Sequence, residues 1–212
     1  MRRLAAAREL ARYPLRVLVL EKGPDVCSGT SKGNSAMVHA GHDPEPGSLK
    51  AKYNVWGNKM FDELCAELDV PFERNGLITF ATNEAAMQKL CAQRDNAAEN
   101  GVEVHILDLA ALRQIEPGMG DEGIGGLWAP ASGMVCPYGL VIAMAENAAA
   151  NGVEFLLDTE VQDITRTDAG FEVKTNNGTF TARTVLNSAG THAGHLNNCV
   201  SAEKINITPR QG

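Results

Sequence analysis

Hydrophobic positions at the start of the chain change from helical to strand-like spacing. Residues 4–13 repeat apolar side chains at helical intervals, which predicts a helix that Pro14 ends. Residues 17–20 are consecutive apolar residues closed by Glu21, a pattern typical of a strand buried on both faces of a parallel sheet. A parallel strand is reached through a crossover from an earlier strand, and the pattern offers none before residue 4. We therefore expect the chain to begin inside a βαβ unit.

The middle of the chain alternates between helical and strand spacing after a loop rich in Gly, Ser, Asn and Pro. Asp108 is placed to cap a short helix, and Asn151-Gly152 closes the last helix of this region. The pattern predicts helices at 51–68, 83–99, 108–115 and 140–150, strands at 77–81 and 104–107, and loop and strand at 123–133.

Alternating spacing takes over after Val153. The turn sequences at 168–170 and 176–178 separate short alternating segments, and the second contains Asn-Gly, the strongest short hairpin sequence. We expect three antiparallel strands in a meander. Residues 184–188 then return to the pattern of a parallel strand. The predicted fold class is α/β, with a parallel sheet and a β-meander.

Composition narrows the classes of function. The 212 residues carry a formal net charge of -7, which gives no global attraction for nucleic acid or an anionic membrane surface. The five cysteines contain no C-x-x-C pair, so no zinc or iron–sulfur site is indicated and free thiols in a reducing compartment are expected. Charges at 8–12 interrupt the apolar run of a signal peptide, and no stretch reaches the ~20 apolar residues of a membrane span. We expect a cytoplasmic protein without a transmembrane segment.

Three features suit a dinucleotide, each with a plainer alternative. In dinucleotide-binding folds an acidic strand end such as Glu21 accepts ribose hydroxyls, ~20 residues after a glycine-rich phosphate loop that here falls at or before residue 1. Glu21 equally suits an ordinary strand end. The glycines and hydroxyl residues of 28–35 would allow backbone N–H groups to approach phosphate oxygens, but they equally fit a solvated surface loop. The small residues of 187–193 would allow a cofactor to approach the backbone closely, but they equally fit a tight turn from strand to helix. Glu21 alone also permits an NAD-binding module.

The order and spacing of short motifs resemble one family across essentially the whole chain. The chain is similar to the D-amino-acid-oxidase (DAO) superfamily of FAD-dependent oxidoreductases, and within it to the FAD-dependent glycerol-3-phosphate dehydrogenases and L-2-hydroxyglutarate oxidases. The motifs are VLVLEKG at 17–23, NSAMVHAG at 34–41, PGSLKA at 46–51, RNG at 74–76, SGMVCP at 132–137, TEV at 159–161 and SAG at 188–190.

The resemblance implies roles for individual residues. His39 falls near the isoalloxazine ring and is the catalytic candidate, and no metal is implied. The implied cofactor-binding residues are Glu21 at the adenosine ribose with Lys22 beside it, Thr30, Ser31, Asn34 and Ser35 along the pyrophosphate and flavin, Val161 at the adenine, and Ala189 and Gly190 at the pyrophosphate.

The resemblance also implies a domain organisation. Residues 1–55 and 136–212 correspond to a Rossmann-like FAD-binding domain, and residues 56–135 to part of an α+β substrate domain. The family's Gly-x-Gly-x-x-Gly turn falls mostly before Met1, and the second half of its substrate domain falls after the last residue. We therefore expect a fragment that, expressed alone, binds FAD poorly and regains affinity with an upstream strand and turn.

The implied function is oxidation of a small 2-hydroxy compound by hydride transfer to FAD. We expect sn-glycerol 3-phosphate as substrate, with L-2-hydroxyglutarate or an amino acid as alternatives and an inactive fragment as the alternative of another class. The implied partners are a hydroxy-acid or polyol-phosphate substrate and an electron acceptor (a quinone, oxygen or a partner protein). Peripheral membrane association of the full-length protein stays open.

Overall fold

The computed structural model describes residues 1–209 of the chain. Within them, six α-helices span Arg2–Leu10 (α1), Leu49–Glu67 (α2), Glu84–Glu99 (α3), Leu109–Ile115 (α4), Pro137–Ala150 (α5) and Ala193–Val200 (α6). Eleven strands of the same residues span Leu18–Leu20 (β1), Met37–Val38 (β2), Phe72–Glu73 (β3), Leu77–Ala81 (β4), His105–Asp108 (β5), Gly125–Ala129 (β6), Gly133–Val135 (β7), Glu154–Leu156 (β8), Val161–Thr167 (β9), Gly170–Thr175 (β10) and Gly178–Ala182 (β11).

The chain folds into two compact units. Among the described residues, the first comprises Met1–Asn34 and those from Pro137 onward, and the second comprises Ser35–Cys136. The sequence placed the first boundary after residue 55, whereas the structure places it after residue 34. The reason is that β2 pairs with β7 and α2 continues without a break past residue 55, which ties this stretch to the second unit. The assignment of the units to FAD-binding and substrate domains stays a prediction.

A short parallel sheet organises the first unit. Strands β1 and β8 run parallel, with Leu18 opposite Glu154 and Leu20 opposite Leu156, which confirms the parallel strand predicted before Glu21. Helix α1 packs against α5, and small or branched side chains fill the space between these helices and the sheet. The buried members of this core are Ala7, Val19, Ala148 and Val153.

The predicted meander is present in the first unit. Strands β9, β10 and β11 pair antiparallel in the order β11-β10-β9. Gly170 begins β10 with a φ of 137°, and a Cβ there would lie 2.3 Å from the carbonyl oxygen of Ala182. Glycine is therefore required at this turn both for its conformation and for the close approach of the two backbones.

The strand predicted at 184–188 is wrong. None of these residues lies in a strand, and Leu186 is 62% exposed. A strand is held by a hydrogen-bonded neighbour, and within residues 1–209 this segment pairs with none. The segment instead leads into a short 3-10 turn at Gly190–His192 and then α6.

Two antiparallel sheets and three helices build the second unit. The sheets have the strand orders β4-β6-β5 and β2-β7-β3. Helices α2, α3 and α4 each begin at a side-chain cap, and the oxygen of Asp108 accepts the N–H of Ala111 at 2.8 Å, which confirms the cap predicted from the sequence. The buried core consists of Ala40, Ala81, Leu90, Leu127 and Ala129.

Candidate functional site

Glu21 lies at the carboxyl end of the parallel sheet, as predicted. Its N–H donates to the carbonyl of Leu156 at 3.0 Å, and its own carbonyl accepts the N–H of Thr159 at 2.9 Å. These bonds extend the β1–β8 pairing by one residue and fix the backbone from which the carboxylate projects. The carboxylate accepts the N–H of Gly23 at 2.8 Å and forms an ion pair with Arg3. A carboxylate has further lone pairs, so Glu21 retains capacity to accept hydroxyl groups.

Cationic groups surround this strand end. Arg3 stands at the start of α1, and its Nε–H is buried without a hydrogen-bond partner among residues 1–209. Lys22 Nζ lies 3.1 Å from Nε2 of His192. Buried donors without acceptors are uncommon in proteins, and together with nearby positive charge they suit an anionic ligand.

Three of the predicted cofactor residues, Lys22, Val161 and Gly190, lie in short segments that are connected to Glu21 by sequence or by hydrogen bonds. Lys22 contacts the 3-10 turn that begins at Gly190, and Val161 opens β9 two residues after Thr159. Gly190 has a φ of 59°, and a Cβ there would meet no atom within 4 Å. The turn therefore leaves open space above its backbone.

The loop residues predicted to line the pyrophosphate divide between the two units. Thr30 and Ser31 form a 3-10 turn, in which Ser31 accepts the amino group of Met1 at 2.9 Å. The side chain of Asn34 donates to the carbonyl of Ser31 at 2.7 Å and closes this loop. Ser35 is exposed and belongs to the second unit. The roles of these residues stay predictions.

His39 lines a cavity of about 310 Å³ in the second unit. Its ring centroid is 6.5 Å from that of His42. Asp43 borders the same space, where its carboxylate accepts from Lys50 Nζ at 3.3 Å and from Gln93 Nε2 at 3.0 Å. The remaining lining residues are Pro44, Asn54, Leu77 and Thr79. This volume and mixed lining suit a small polar molecule.

His42 is held neutral inside this cavity wall. It is 3% exposed, and burial lowers its pKa, with the neighbouring His39 adding to the shift and Asp43 opposing it. Its Nδ1 has no hydrogen-bond partner within residues 1–209, and the same is true of buried oxygens on Asn54 and Gln93. His42, Asn54 and Gln93 therefore contribute neutral polar atoms to the cavity lining, and Lys50 contributes a positive charge.

Side chains distant in sequence fix the backbone that carries His39. Asn58 of α2 donates to the carbonyl of His39 at 3.1 Å and to that of Ala131 at 2.9 Å. The hydroxyl of Ser132 accepts the N–H of Ala40 at 3.2 Å, and Asn100 donates to the carbonyl of Gly41 at 3.1 Å. The loop is thus attached at three consecutive residues.

Arg74 adds hydrogen bonds to two of the groups that hold this loop. It donates to Asn58 Oδ1 at 3.2 Å and to the carbonyl of Ala131 at 2.6 Å. Its hydrogen bonds to Asp62 also hold the pKa of that carboxyl below its ordinary value. No role for Asn58, Asn100 or Ser132 was predicted from the sequence. The structure shows that Asn58, a polar residue within a predicted helix, is buried.

The described part of the chain has neither a metal-binding cluster nor a membrane-spanning helix. Across residues 1–209 no group of three or more His, Cys, Asp or Glu side chains is arranged to hold a metal ion. In the same span no helix has the length and apolar character needed to cross a bilayer. Among the described residues, none of the five cysteines forms a disulfide bond.

Comparison with known proteins gives one consistent family. A family model described as FAD dependent oxidoreductase (DAO) matches residues 4–212. The chain is 44% identical over 207 residues to a glycerol 3-phosphate dehydrogenase of Caloramator mitchellensis, an alignment that covers 97% of the chain and 43% of that relative. It is 31% identical over 186 residues to an L-2-hydroxyglutarate dehydrogenase of Escherichia coli, covering 87% of the chain and 44% of that relative.

A solved structure shows the same fold. The dithionite-reduced L-alpha-glycerophosphate oxidase of Mycoplasma pneumoniae, with FAD bound, has a TM-score of 0.85 to this chain at 28% identity. The match covers 96% of the chain and 55% of that protein. The chain therefore spans about half the length of the relatives it matches.

Proposed function

Because the chain belongs to the family of FAD-dependent oxidoreductases, we propose that the protein carrying it is a dehydrogenase or oxidase of sn-glycerol 3-phosphate. The observation that carries this proposal is the 44% identity, across 97% of the chain, to a glycerol 3-phosphate dehydrogenase. The likeness to the FAD-bound L-alpha-glycerophosphate oxidase supports the same substrate. When bound, FAD supplies the hydride acceptor for oxidation of a hydroxyl-bearing carbon.

The donors and acceptors of the first unit fit the ribose and phosphate groups of FAD. Glu21 has free lone pairs for ribose hydroxyls, and the buried Nε–H of Arg3 lacks the acceptor that a phosphate oxygen provides. The open space above Gly190 admits a cofactor backbone close to the chain. We assign the adenosine ribose to Glu21 with Lys22 beside it, the pyrophosphate and flavin side to Thr30, Ser31, Asn34 and Ser35, the adenine to the Val161 backbone, and the pyrophosphate also to Ala189 and Gly190.

The cavity of the second unit supports a proton-transfer role for His39. His39 is an exposed imidazole on the cavity wall, and its backbone is held by Asn58. We assign it the task of accepting the proton of the substrate hydroxyl, which is the ordinary work of an imidazole near neutral pH. His42 lines the same cavity as His39, and burial lowers the pKa of His42. The His42 ring therefore adds no positive charge beside His39.

A second substrate is favoured by a separate observation. The 31% identity to an L-2-hydroxyglutarate dehydrogenase supports a 2-hydroxy acid in the same site. Both compounds are small anions with a secondary hydroxyl, and Lys50 borders the cavity with its charge partly neutralised by Asp43. The electron acceptor is proposed to be a quinone, oxygen or a partner protein, and the cytoplasm is the proposed location.

Steady-state specificity tests the proposal. The native protein carrying this sequence is assayed for dye reduction and oxygen uptake with sn-glycerol 3-phosphate, L-2-hydroxyglutarate and glycine. We expect kcat/KM to be highest for sn-glycerol 3-phosphate, and His39→Asn to lower kcat by about 10²–10⁴-fold, the scale of general-base catalysis. Gln88→Ala, an exposed change on α3, is the matched control. Turnover of L-2-hydroxyglutarate alone would assign the second candidate, and glycine oxidation alone would reject both.

A further inference from the structure

The wall of the cavity beside His39 contains buried polar atoms without hydrogen-bond partners. Nδ1 of His42, Oδ1 of Asn54 and Oε1 of Gln93 are buried, and none of the three has a partner within residues 1–209. All three side chains line the cavity, and His42 is only 3% exposed. Buried polar atoms are nearly always hydrogen-bonded in proteins, so a group of unpaired ones around one cavity indicates a polar ligand.

Two of these atoms are amide oxygens, which accept hydrogen bonds and cannot donate them. The other end of the Gln93 amide donates from Nε2 to Asp43 at 3.0 Å. Because a carboxylate only accepts, this bond fixes which end of the amide is the oxygen. The terminal torsions of Asn and Gln are broad, so both oxygens turn toward a bound donor at little cost. The ligand that suits Asn54 and Gln93 is therefore one that carries hydroxyl groups.

The charges of the cavity lining are already compensated. Lys50 Nζ lies 3.3 Å from Oδ2 of Asp43, and burial lowers the pKa of His42. Among the lining residues of the described chain, Lys50 is the one Lys or Arg, and Asp43 is the one Asp or Glu. An anionic group in this space would meet acceptor oxygens and a carboxylate without an unpaired lysine or arginine. A neutral group with hydroxyl donors meets no such penalty.

We propose that this cavity holds the neutral, hydroxyl-bearing end of a polyol phosphate, with Asn54 and Gln93 accepting from the hydroxyl beside the carbon that is oxidised. The assignment rests on the proposed function, in which His39 accepts the proton of the hydroxyl on that carbon. sn-Glycerol 3-phosphate has such an end, because its C1 carries a neutral hydroxymethyl group. L-2-Hydroxyglutarate carries a carboxylate at each end of its chain, which these acceptors repel. Asn54 and Gln93 are thus specificity-determining residues.

Removal of the substrate hydroxyl, combined with removal of its acceptor, tests the site. The native protein is assayed with sn-glycerol 3-phosphate and with the matching enantiomer of propane-1,2-diol 1-phosphate, in which a methyl group replaces the hydroxymethyl group. We expect kcat/KM to be at least about tenfold higher for sn-glycerol 3-phosphate. Gln93→Met is expected to reduce this preference at least about fivefold, because it lowers kcat/KM for sn-glycerol 3-phosphate and leaves the methyl analogue within about twofold.

Gln88→Met is the matched control, since it makes the same change at an exposed position of the same helix. The preference is expected to stay within about twofold of the unmodified value. Asn54→Leu removes the second acceptor and is expected to act like Gln93→Met. A variant that is only less stable lowers both values of kcat/KM together, so the ratio of the two substrates separates a lost acceptor from a damaged fold.

An added cation tests the charge argument in the opposite direction. Gln93→Lys places a positive charge in the cavity lining and is expected to raise kcat/KM for L-2-hydroxyglutarate relative to sn-glycerol 3-phosphate at least about tenfold. Gln88→Lys adds the same charge outside the cavity and is expected to leave this ratio within about twofold. The pair of variants separates a charge inside the cavity from a general attraction of anions to the protein.

The outcomes separate this proposal from the proposed function. Equal kcat/KM for sn-glycerol 3-phosphate and its methyl analogue, or a preference that Gln93→Met leaves unchanged, would overturn the assignment of Gln93 while the proposed function stands. An equal effect of Gln93→Lys and Gln88→Lys would overturn the charge argument. A flavin that sn-glycerol 3-phosphate does not reduce would reject the proposed function, and the polyol site with it.

Discussion

Replacing Asn58 with alanine is expected to destabilise the second unit by about 2–4 kcal/mol. The side chain is 6% exposed and makes hydrogen bonds to the carbonyls of His39 and Ala131 and from Arg74. Each such bond contributes about 1 kcal/mol net, and an acceptor left without its donor costs more. Ala131 keeps the bond from Arg74, so the added cost falls on the His39 carbonyl.

Tryptophan fluorescence reports this unit selectively, because Trp56 and Trp128 are the chain's two tryptophans and both belong to it. Urea denaturation followed at this signal gives the free energy of unfolding. Gln88→Ala, which removes an exposed amide from α3, is the control and is expected to change stability by less than about 0.5 kcal/mol. If Asn58→Ala costs no more than Gln88→Ala, the attachment of the His39 loop through Asn58 is refuted.

Three further changes have directions that follow from the structure. Glu21→Ala is expected to weaken FAD binding by about 1–3 kcal/mol in a titration of the native protein, and unchanged affinity counts against the ribose role. Because burial lowers the pKa of His42 below its ordinary 6.5, the unfolded chain takes up the proton first as pH falls. The free energy of unfolding should therefore drop as pH falls below 6.5, and His42→Gln is expected to flatten this dependence. Gly170→Ala is expected to lower the melting temperature, since its Cβ would lie 2.3 Å from the Ala182 oxygen; an unchanged value contradicts that geometry.

Local patterns were sufficient for most elements. The strand at Leu77–Ala81 has the predicted bounds, and the Asp108 cap and the Asn-Gly hairpin at Gly178 lie where the sequence placed them. These features depend on side chains within a few residues of the backbone they direct, such as a cap oxygen and a turn glycine. Neighbouring residues therefore contain the information that specifies them.

Features that depend on distant partners were not predictable in the same way. The segment 184–188 has strand-like composition, but a strand requires a neighbour, and within residues 1–209 it has none. The first unit boundary depends on the pairing of β2 with β7, about 95 residues apart in sequence. The support of His39 by Asn58, Asn100 and Ser132 likewise arises only when three separate segments meet.

The most direct test of the proposed function is an anaerobic titration of the native protein's flavin. sn-Glycerol 3-phosphate is added stepwise to the purified protein, and the visible absorbance of bound FAD is recorded after each addition, up to one equivalent of substrate per flavin. We predict stoichiometric bleaching with sn-glycerol 3-phosphate. Bleaching slowed in His39→Asn without loss of bound FAD would support the proposed role of His39. A protein that binds no FAD, or whose flavin stays oxidised with sn-glycerol 3-phosphate while another substrate reduces it, would contradict the account.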